Sequence, residues 1–305
     1  MLDTIRVKFP IRPTEEQLKQ WWTLRTTKTQ TGEKNYYIYN PVVRDTTLRF
    51  TYYPVAYDNS EILTLEMSLP KLILGNNYQM LESIDEAIKM ANIILPNIPH
   101  VPILDLSEGI LIRLDMCYNH QVGDAVDDYI KALGNLDYPH RRTKHHRFEG
   151  VEYRAKHKTT KFYNKEHESG FIEAHGILRQ EITLIKGKDI QLLLHNPKPT
   201  LLNVSPEQIA DELKNELATL GLLNNSIANQ DTALKRLCEV YGNLAGVYYH
   251  GILTSKANKS KKRIVKETKM HPRSLDRKLK KIVEADIPLT FTDREEPLPP
   301  LKINL

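Results

Sequence analysis

The sequence predicts an α+β fold: a mainly antiparallel sheet with flanking helices, followed by a helical C-terminal region. Segments rich in β-branched and aromatic residues mix with capped helical segments and do not alternate strictly with them, which favours α+β over a doubly wound parallel sheet. Neither GxGxxG nor GxxxxGK[ST] occurs, so a nucleotide-binding loop has no support. Beyond "HNPKPTLLNV" strand-like runs become rare. We therefore predict two domains, 1–200 and 201–305.

The N-terminal elements begin with a helix in "RPTEEQLKQWWTLR", where Thr14 and Gln17 have the spacing of a capping box. We expect its Trp21 and Trp22 in the core. "YYIYNPVVRDTTLRFTYYPVAY" and "EILTLEMSLPKLIL" have the composition of strands. "SIDEAIKMANIILP" predicts a helix capped by Ser83.

The middle of the chain predicts a strand in "GILIRLDMCY" and a helix in "GDAVDDYIKALG", capped by Asp124 and ended by Gly134. "FEGVEYRAKHKTTKFYNKE" contains two strand-like runs, which predict a hairpin or a meander, and "HGILRQEITLI" predicts a further strand. In the C-terminal region, "SPEQIADELKNELATLG" predicts a helix capped by Ser205, and "NQDTALKRLCEVYGNLAGVYYHGI" is also helical.

The composition predicts a cytoplasmic protein. The chain contains no run of about 18 apolar residues, so no membrane span is expected. The first residues lack the apolar run of a secretory signal. Only two cysteines occur, Cys117 and Cys238, so a disulfide framework is not expected and a reducing compartment is favoured.

Positive charge is concentrated in two blocks. The whole chain has 43 Lys/Arg and 38 Asp/Glu, but residues 140–165 contain nine Lys/Arg against two acids, and residues 255–281 contain twelve against two. Clustered Lys and Arg neutralise phosphates and release counterions, so the blocks predict contacts with a nucleic acid; a solvated surface is the alternative. The predicted DNA-binding residues of the first block are Arg141, Arg142, Lys144, Arg147, Lys156 and Lys158.

The second block has the pattern of a helix-turn-helix. In "KKRIVKETKMHPRSLDRKLKKIV" a short helix, a turn around "KMHP" and a second helix from about Arg273 are expected. Leu275, Leu279 and Ile282 give the second helix one apolar face. This helix could enter the major groove, or it could pack on the domain of residues 1–200 and contact phosphates only. Its predicted DNA-binding residues are Arg273, Arg277, Lys278 and Lys281.

Three predicted strands carry polar residues on one face, since side chains two apart point the same way. Each strand could simply be half-exposed. If the strands pair, however, one sheet face would hold carboxylates, guanidiniums, ammonium groups and a phenol together. The residues are Arg113 and Asp115 in "LIRLDMC", Arg179 and Glu181 in "ILRQEITL", and Lys161, Tyr163 and Lys165 in "TKFYNKE".

This set of residue types suits metal-assisted phosphoryl transfer. Two carboxylates can hold a hard divalent cation through oxygen, and the cation can polarise a phosphate. Nearby ammonium groups favour the phenolate over the phenol, which would make Tyr163 a usable nucleophile. The arginines Arg113 and Arg179 can bind a phosphate bidentately.

The order of these motifs resembles the replication initiators of the filamentous-phage gene II/gene X family. The segments that carry the resemblance are "LEMSLPKLILGNNY", "ILIRLDMCYN", "TTKFYNKE" and "GILRQEITLI", with "HPRSLDRKLKKIVEADIPL" similar to the family's C-terminal segment. The His-x-His motif of better-known nicking relaxases is absent. His145 and His146 are instead adjacent, and we expect them in a basic loop.

The resemblance implies a rolling-circle replication initiator, an endonuclease and strand transferase that nicks one strand at an origin. Tyr163 matches the nucleophile, which would become joined to the 5′-phosphate. Asp115 and Glu181 match acidic positions, and Glu66 is a third candidate ligand for Mg²⁺ or Mn²⁺. The implied partners are origin DNA, duplex and single-stranded, and a host helicase and polymerase. No membrane partner is expected, and monomer and dimer stay open.

Two other functions remain open. One is a non-catalytic DNA-binding regulator in which the sheet is a scaffold. The other is a hydrolytic nuclease that uses metal-bound water, which a covalent protein–DNA adduct would exclude. Tyr163 together with two acids favours the enzyme, because a protein that only binds DNA needs no carboxylates on a DNA-binding surface.

Overall fold

A computed structural model describes residues 1–29, 32–55, 60–146, 149–259 and 261–304. Within these ranges the chain forms twelve strands and eleven α-helices, which confirms the α+β class. The strands are β1 (Leu2–Phe9), β2 (Thr23–Thr29), β3 (Gly32–Tyr39), β4 (Val42–Val43), β5 (Thr46–Thr47), β6 (Arg49–Tyr53), β7 (Ile62–Ser68), β8 (Ile110–Gln121), β9 (Arg142–His146), β10 (Gly150–Arg154), β11 (Lys158–Asn164) and β12 (Ile177–Leu184). The helices are α1 (Glu15–Trp21), α2 (Leu69–Leu74), α3 (Ile84–Ile94), α4 (Val126–Gly134), α5 (Lys165–Ser169), α6 (Gly187–Leu194), α7 (Pro206–Thr219), α8 (Gln230–Tyr241), α9 (Asn243–Asn258), α10 (Lys261–Thr268) and α11 (Pro272–Glu284).

Ten of the strands form one sheet in the order β2-β3-β6-β7-β1-β8-β12-β11-β10-β9, and β4 and β5 form a separate pair. The registered pairs within it, such as β1 with β7 and β10 with β11, are antiparallel. The contacts divide the chain into two compact units. Unit 1 contains residues 1–117 and 182–209, and unit 2 contains residues 118–181 and 210–305.

In unit 1, the predicted capping box between Thr14 and Gln17 is present at the start of α1. The two tryptophans have different surroundings. α1 ends at Trp21, and the extended backbone of Trp22 turns the Trp22 side chain inward. Trp22 is buried beside Phe50. Trp21 is 49% exposed and stacks on His100, so its predicted place in the core is wrong.

In unit 2, α4 begins later than predicted. Residues 123–125 form a short 3₁₀ helix and Ala125 is the N-cap, so the predicted cap at Asp124 is wrong. The predicted hairpin is confirmed: β10 and β11 are antiparallel neighbours, with Gly150 opposite Tyr163.

The C-terminal region is helical, as predicted. Ser205 and Gln208 exchange the two hydrogen bonds of a capping box at the start of α7. Beyond residue 205 the described chain forms five helices and one isolated β-bridge. Three residues separate α10 from α11, and Leu275, Leu279 and Ile282 are buried on one face of α11. Among the described residues, no helix has the length and apolar character that crossing a membrane requires.

Candidate active site

Tyr163 lies on β11 with its hydroxyl bound to a buried carboxylate. The hydroxyl donates to Oε2 of Glu181 at 2.9 Å, and Lys161 Nζ donates to Oε1 of the same carboxylate at 2.9 Å. Lys161 and Tyr163 point to one side because they are two apart on a strand. The structure therefore unites three of the predicted catalytic and metal-binding residues.

Glu181 is held ionised by its neighbours. Burial raises the pKa of this carboxyl. The Lys161 ammonium and the hydrogen bonds from Lys161 and Tyr163 lower the pKa by more than burial raises it, so the net pKa is below the ordinary value. The Glu181 residue is 7% exposed. An ionised carboxylate that accepts a hydrogen bond from a phenol is placed to take the phenol proton.

Gly150 makes room for Tyr163 on the neighbouring strand. A Cβ at position 150 would lie 2.7 Å from the Tyr163 Cβ and 2.8 Å from the Phe162 carbonyl oxygen. Contacts of that length do not occur between real Cβ atoms and their neighbours, so a larger residue at 150 would displace the β11 backbone at Tyr163. The position of the Tyr163 hydroxyl thus depends on residue 150 being a glycine, which has no side chain.

Glu152 forms a second ion-paired group beside Tyr163. It lies opposite Lys161 and accepts from Arg154 Nε at 2.7 Å and His146 Nε2 at 3.0 Å. Burial raises the Glu152 pKa, yet the bonds from Arg154 and His146 bring it below its usual value. His146 and its neighbour His145 belong to β9, so the loop predicted for them is wrong.

A cleft of about 460 Å³ opens over these residues. Both charge signs line it, with Glu152, Glu168 and Glu181 facing Arg154 and Lys161. An exposed cleft with a tyrosine, a base and cationic side chains has the features expected of an active site.

Lys165 does not share a strand face with Tyr163, which corrects the sequence prediction. β11 ends at Asn164, whose side chain accepts from the backbone N–H groups of residues 166 and 167 and so starts α5. Lys165 becomes the first residue of that helix, is fully buried and pairs with Glu168. Its ammonium still lies 5.6 Å from the centre of the Tyr163 ring.

Arg179 is fully buried, unlike a side chain waiting for a phosphate. Its Nε donates to Oδ1 of Asn119 at 2.8 Å. Its positive charge helps to lower the Glu181 pKa. Arg179 therefore acts on the site through Glu181 in this structure.

Unit 1 holds a second cluster around Arg113. This guanidinium is bidentate on Asp115, with Nε to Oδ1 at 3.0 Å and Nη2 to Oδ2 at 2.6 Å, and its Nη1 donates to Oε1 of Glu66 at 2.9 Å. Arg6 lies opposite Glu66 on β1 and donates to its other oxygen from Nε at 2.6 Å. Two carboxylates are thus balanced by two guanidiniums.

The predicted metal ligands are occupied by cationic side chains. The donor type fits Mg²⁺, which prefers carboxylate oxygen. However, Glu66 and Asp115 bind arginines in unit 1, and Glu181 binds Lys161 in unit 2. In the part of the chain that the structure describes, no three His, Cys, Asp or Glu side chains are grouped to hold a metal ion. A metal would have to displace at least one of these ion pairs, and the site stays a prediction.

The predicted DNA-binding residues of the first block differ in their surroundings. Arg142 and Lys144 on β9 and Lys156 in the β10–β11 turn are exposed, as a phosphate contact requires. The Arg141 side chain is 9% exposed and donates to Glu216 Oε1 at 2.9 Å. Arg147 lies outside the described residues.

Lys158 is also engaged with α7. Its ammonium pairs with Glu216 at 2.5 Å and with Glu212. Thr160 donates to the same Glu216 carboxylate at 2.5 Å. These contacts favour a structural role for Arg141 and Lys158, which join β11 and its flank to α7.

The basic residues of α11 lie outward from its apolar face. Arg273 and Arg277 are exposed. Lys278 lies with its ammonium 4.4 Å from the centre of the Tyr248 ring, and Lys281 pairs with Glu284 at 2.7 Å. The two helices and the exposed cations predicted for the helix-turn-helix are therefore present, and DNA binding by α11 stays a prediction.

Several residues of these clusters are not identified by the sequence patterns. Glu152 and Arg154 stand two apart in "VEYR", the same spacing that singled out Arg113 and Asp115, so a signal was present. Arg6, Asn119 and Gly150 carried none, because their importance comes from strand register.

Models of known protein families give no match to this chain, and a search of curated proteins found no related sequence. The resemblance to the phage and plasmid initiators therefore rests on motif order alone.

Proposed function

We propose that this protein is a metal-dependent DNA endonuclease and strand transferase that initiates rolling-circle replication, with Tyr163 as nucleophile. The observation that carries the proposal is the hydrogen bond from the Tyr163 hydroxyl to the buried, ionised Glu181, at 2.9 Å and in an open cleft. A phenol needs a base to attack a phosphate at neutral pH. Glu181 supplies that base.

The proposed step exchanges one phosphodiester for another. The Tyr163 oxygen bonds to phosphorus while the bond from phosphorus to the 3′ oxygen breaks. Glu181 takes the phenol proton, the leaving 3′ oxygen takes a proton from water to become a 3′-OH, and Glu181 returns its proton to the solvent, so the step is proton-neutral. Lys161 is placed to stabilise negative charge on the transferring phosphate. Because the number of phosphodiester bonds is unchanged, the strand can be rejoined without ATP.

Mg²⁺ or Mn²⁺ is part of the proposal as cofactor, with carboxylate oxygens as its ligands. Such an ion would polarise the scissile phosphate and neutralise its charge. We expect EDTA to abolish adduct formation while duplex DNA binding persists, which a gel-shift assay beside the cleavage assay measures. Full cleavage in EDTA would instead assign charge stabilisation to Lys161 alone.

Origin DNA is the proposed partner, bound as duplex by α11 and the exposed cations of β9 and presented as a single strand to Tyr163. Exposed lysines and arginines give affinity through counterion release. Arg273 and Arg277 on α11 are suited to contact a groove or its phosphates. Host helicase and polymerase remain further proposed partners.

The test is a covalent adduct. The protein is incubated with Mg²⁺ and labelled single-stranded oligonucleotides tiled across the DNA next to its own gene, and products are separated under denaturing conditions. We expect an adduct that mass spectrometry maps to Tyr163 and that Tyr163→Phe removes. Tyr153→Phe is the matched control: that hydroxyl is buried and donates to the Leu133 carbonyl, so its adduct should persist.

A non-catalytic DNA-binding regulator is the second candidate, and the neutralised carboxylates around Arg113 favour it. Such a protein would bind duplex DNA and give neither nick nor adduct with any tiled oligonucleotide. A nick without an adduct would identify the hydrolytic nuclease.

A further inference from the structure

Unit 1 has an open sheet face opposite its core. Along β6 and β7 the side chains of Phe50, Tyr52, Leu63 and Leu65 are buried on one side of the sheet. Of the residues between them, Thr51 and Thr64 are buried as well, whereas Arg49 and Tyr53 at the strand ends are exposed. The intervening residues, and those in register with them on β1, β2 and β3, point to the other side. This side, called the open face below, carries Lys8, Arg25, Thr27, Lys34, Tyr36, Arg49 and Tyr53.

Two tyrosines form an aromatic platform on the open face. The rings of Tyr36 and Tyr53 stack with centroids 5.7 Å apart and planes 25° apart. Tyr53 is 39% exposed, so part of its ring is accessible to a ligand. Arg25 lies directly opposite Tyr36 on β2, which places a guanidinium beside the platform.

Three cations of the open face have no acidic partner among the described residues. Within the described chain, Lys8, Arg25 and Arg49 form no ion pair, and Arg25 and Arg49 are exposed. Glu66, across from Arg49, is already bound by Arg6 and Arg113. The open face therefore has net positive charge with aromatic rings among the cations, which is complementary to a polyanion that carries flat rings.

We propose that the open face binds single-stranded nucleic acid. Unpaired bases can stack on Tyr53 and on Arg25, while Arg49 and Lys8 contact the phosphates; such platforms bind single strands with little sequence preference. A duplex keeps its bases stacked inside and would gain nothing from the tyrosine pair. This inference goes beyond nicking, because none of these residues belongs to the Tyr163 cluster.

Fluorescence anisotropy with labelled oligothymidine in EDTA tests the proposal without cleavage. Tyr53→Ala should weaken binding about 10-fold, as expected for one lost stacked base, and Tyr53→Phe should bind like the wild type because it keeps the ring. Arg25→Ala with Arg49→Ala should reduce the salt slope by about 1.4, at about 0.7 per single-strand phosphate contact. Lys28→Ala is the control: it removes an exposed charge from the same strand but the opposite side.

The outcomes separate this inference from the proposed function. Equal affinity of wild type and Tyr53→Ala for oligothymidine, or an effect of Lys28→Ala as large as that of the Arg25 and Arg49 pair, overturns it. Weakened duplex binding of the same size would mean a general phosphate surface and also overturns it. Circular dichroism checks folding, and the exposed arginine pair gives a readout even if Tyr53→Ala unfolds. Oligothymidine binding is measured in EDTA and without cleavage, so failed nicking leaves this result unaffected.

Discussion

Gly150 sets the position of the Tyr163 hydroxyl through the space it leaves. A methyl at this position would lie 2.7 Å from the Tyr163 Cβ, so the strand must shift. Overpacking of this kind costs about 1–3 kcal/mol, and a displacement of about 1 Å at a reacting group can cost 10²-fold in rate. We therefore expect Gly150→Ala to slow adduct formation at least about 10-fold, measured in single-turnover assays.

Gly251→Ala is the control for Gly150→Ala. A Cβ at 251 meets nothing within 4 Å, and Gly251 lies inside α9, where alanine is the better helix former by about 1 kcal/mol. This variant should keep full adduct formation with unchanged or slightly higher thermal stability. Full activity in Gly150→Ala would show that Tyr163 does not depend on its strand neighbour.

The depressed pKa of Glu181 predicts a pH dependence of stability. Its partners Lys161 and Tyr163 favour the ionised form, so the folded state holds the carboxyl proton less tightly than the unfolded state. The stabilising contribution is therefore present above the ordinary carboxyl pKa of 4.5 and is lost as the pH falls through the lower folded value. In urea unfolding, the wild type should exceed Glu181→Gln in free energy of unfolding at pH 7, and the difference should shrink towards pH 3. A constant difference across this range would mean that Glu181 is not held ionised by its partners.

At the residue scale, strand periodicity predicted which side chains share a face but not which partners they choose. Lys161 and Tyr163 meet on Glu181 because alternate residues on a strand share a side. Lys165 does not continue that strand, because the Asn164 side chain caps a helix that begins at Lys165. Arg141 looks from its sequence context like a phosphate ligand. Its bond to Glu216 joins residues 75 apart, which no local pattern contains.

The helix pair α10–α11 predicts a separable effect on duplex binding. Arg273 and Arg277 are exposed on α11, while its apolar face is buried by Leu275 and Leu279. Replacing both arginines with alanine should lower duplex affinity and reduce the salt slope by up to about 1.8, at about 0.9 per phosphate. Thermal stability should hardly change, because neither side chain is buried. Anisotropy with duplex DNA at several salt concentrations measures this.

Arg263→Ala is the matched control on α10. This guanidinium is exposed but donates to Glu267 at 2.8 Å. Its positive charge is therefore partly balanced by a carboxylate and contributes less to the attraction of phosphates than the charge of Arg273. Its effect on duplex binding should be the smaller one. An equal loss in both variants would indicate diffuse attraction in place of contacts by α11.

His175 joins two short elements of unit 2 through opposite ring nitrogens. Nδ1 lies 2.8 Å from Glu166 on α5, and Nε2 lies 3.1 Å from Asp124 in the 3₁₀ turn. Hydrogen bonds to both carboxylates raise the pKa of His175 above its ordinary 6.5. The contribution to stability is therefore complete below pH 6.5 and is lost as the pH rises through the folded value. His175→Gln should lower the melting temperature at pH 6 and have less effect at pH 9, and a pH-independent difference would contradict the charged contact.

At the element scale, the cap motifs predicted helix starts wherever the cap is local. The boxes at Thr14 and Ser205 formed as expected because both partners lie within four residues. Asp124 is not the cap of α4, because it lies inside the 3₁₀ helix of residues 123–125, and its carboxylate binds His175, 51 residues further on. The basic tail gave its two helices correctly, since Leu275, Leu279 and Ile282 repeat at helical spacing and the turn between them is short.

The whole molecule joins distant parts of the chain in ways that composition does not reveal. Unit 2 is assembled from residues 118–181 and 210–305. The Thr290 hydroxyl is buried and donates to the Ala132 carbonyl at 2.9 Å, and the Tyr129 hydroxyl donates to the Pro299 carbonyl at 2.6 Å. The change in composition near residue 200 marks where strands stop. It does not show with which strands the later helices pack.

A fragment of residues 1–200 tests this dependence against the predicted domain boundary. Without α7, Arg141 and Lys158 lose their ion pairs with Glu216. The buried contacts of Thr290 and Pro299 disappear as well. We expect the fragment to lack a cooperative melting transition, to be cleaved rapidly by protease between residues 118 and 181, and to form no adduct.

Full-length Glu216→Gln keeps every helix and is the graded control. It should fold with a lower melting temperature and retain adduct formation, because Glu216 lies outside the Tyr163 cluster. A fragment that melts cooperatively and still forms the adduct would show that residues 1–200 are an independent catalytic domain.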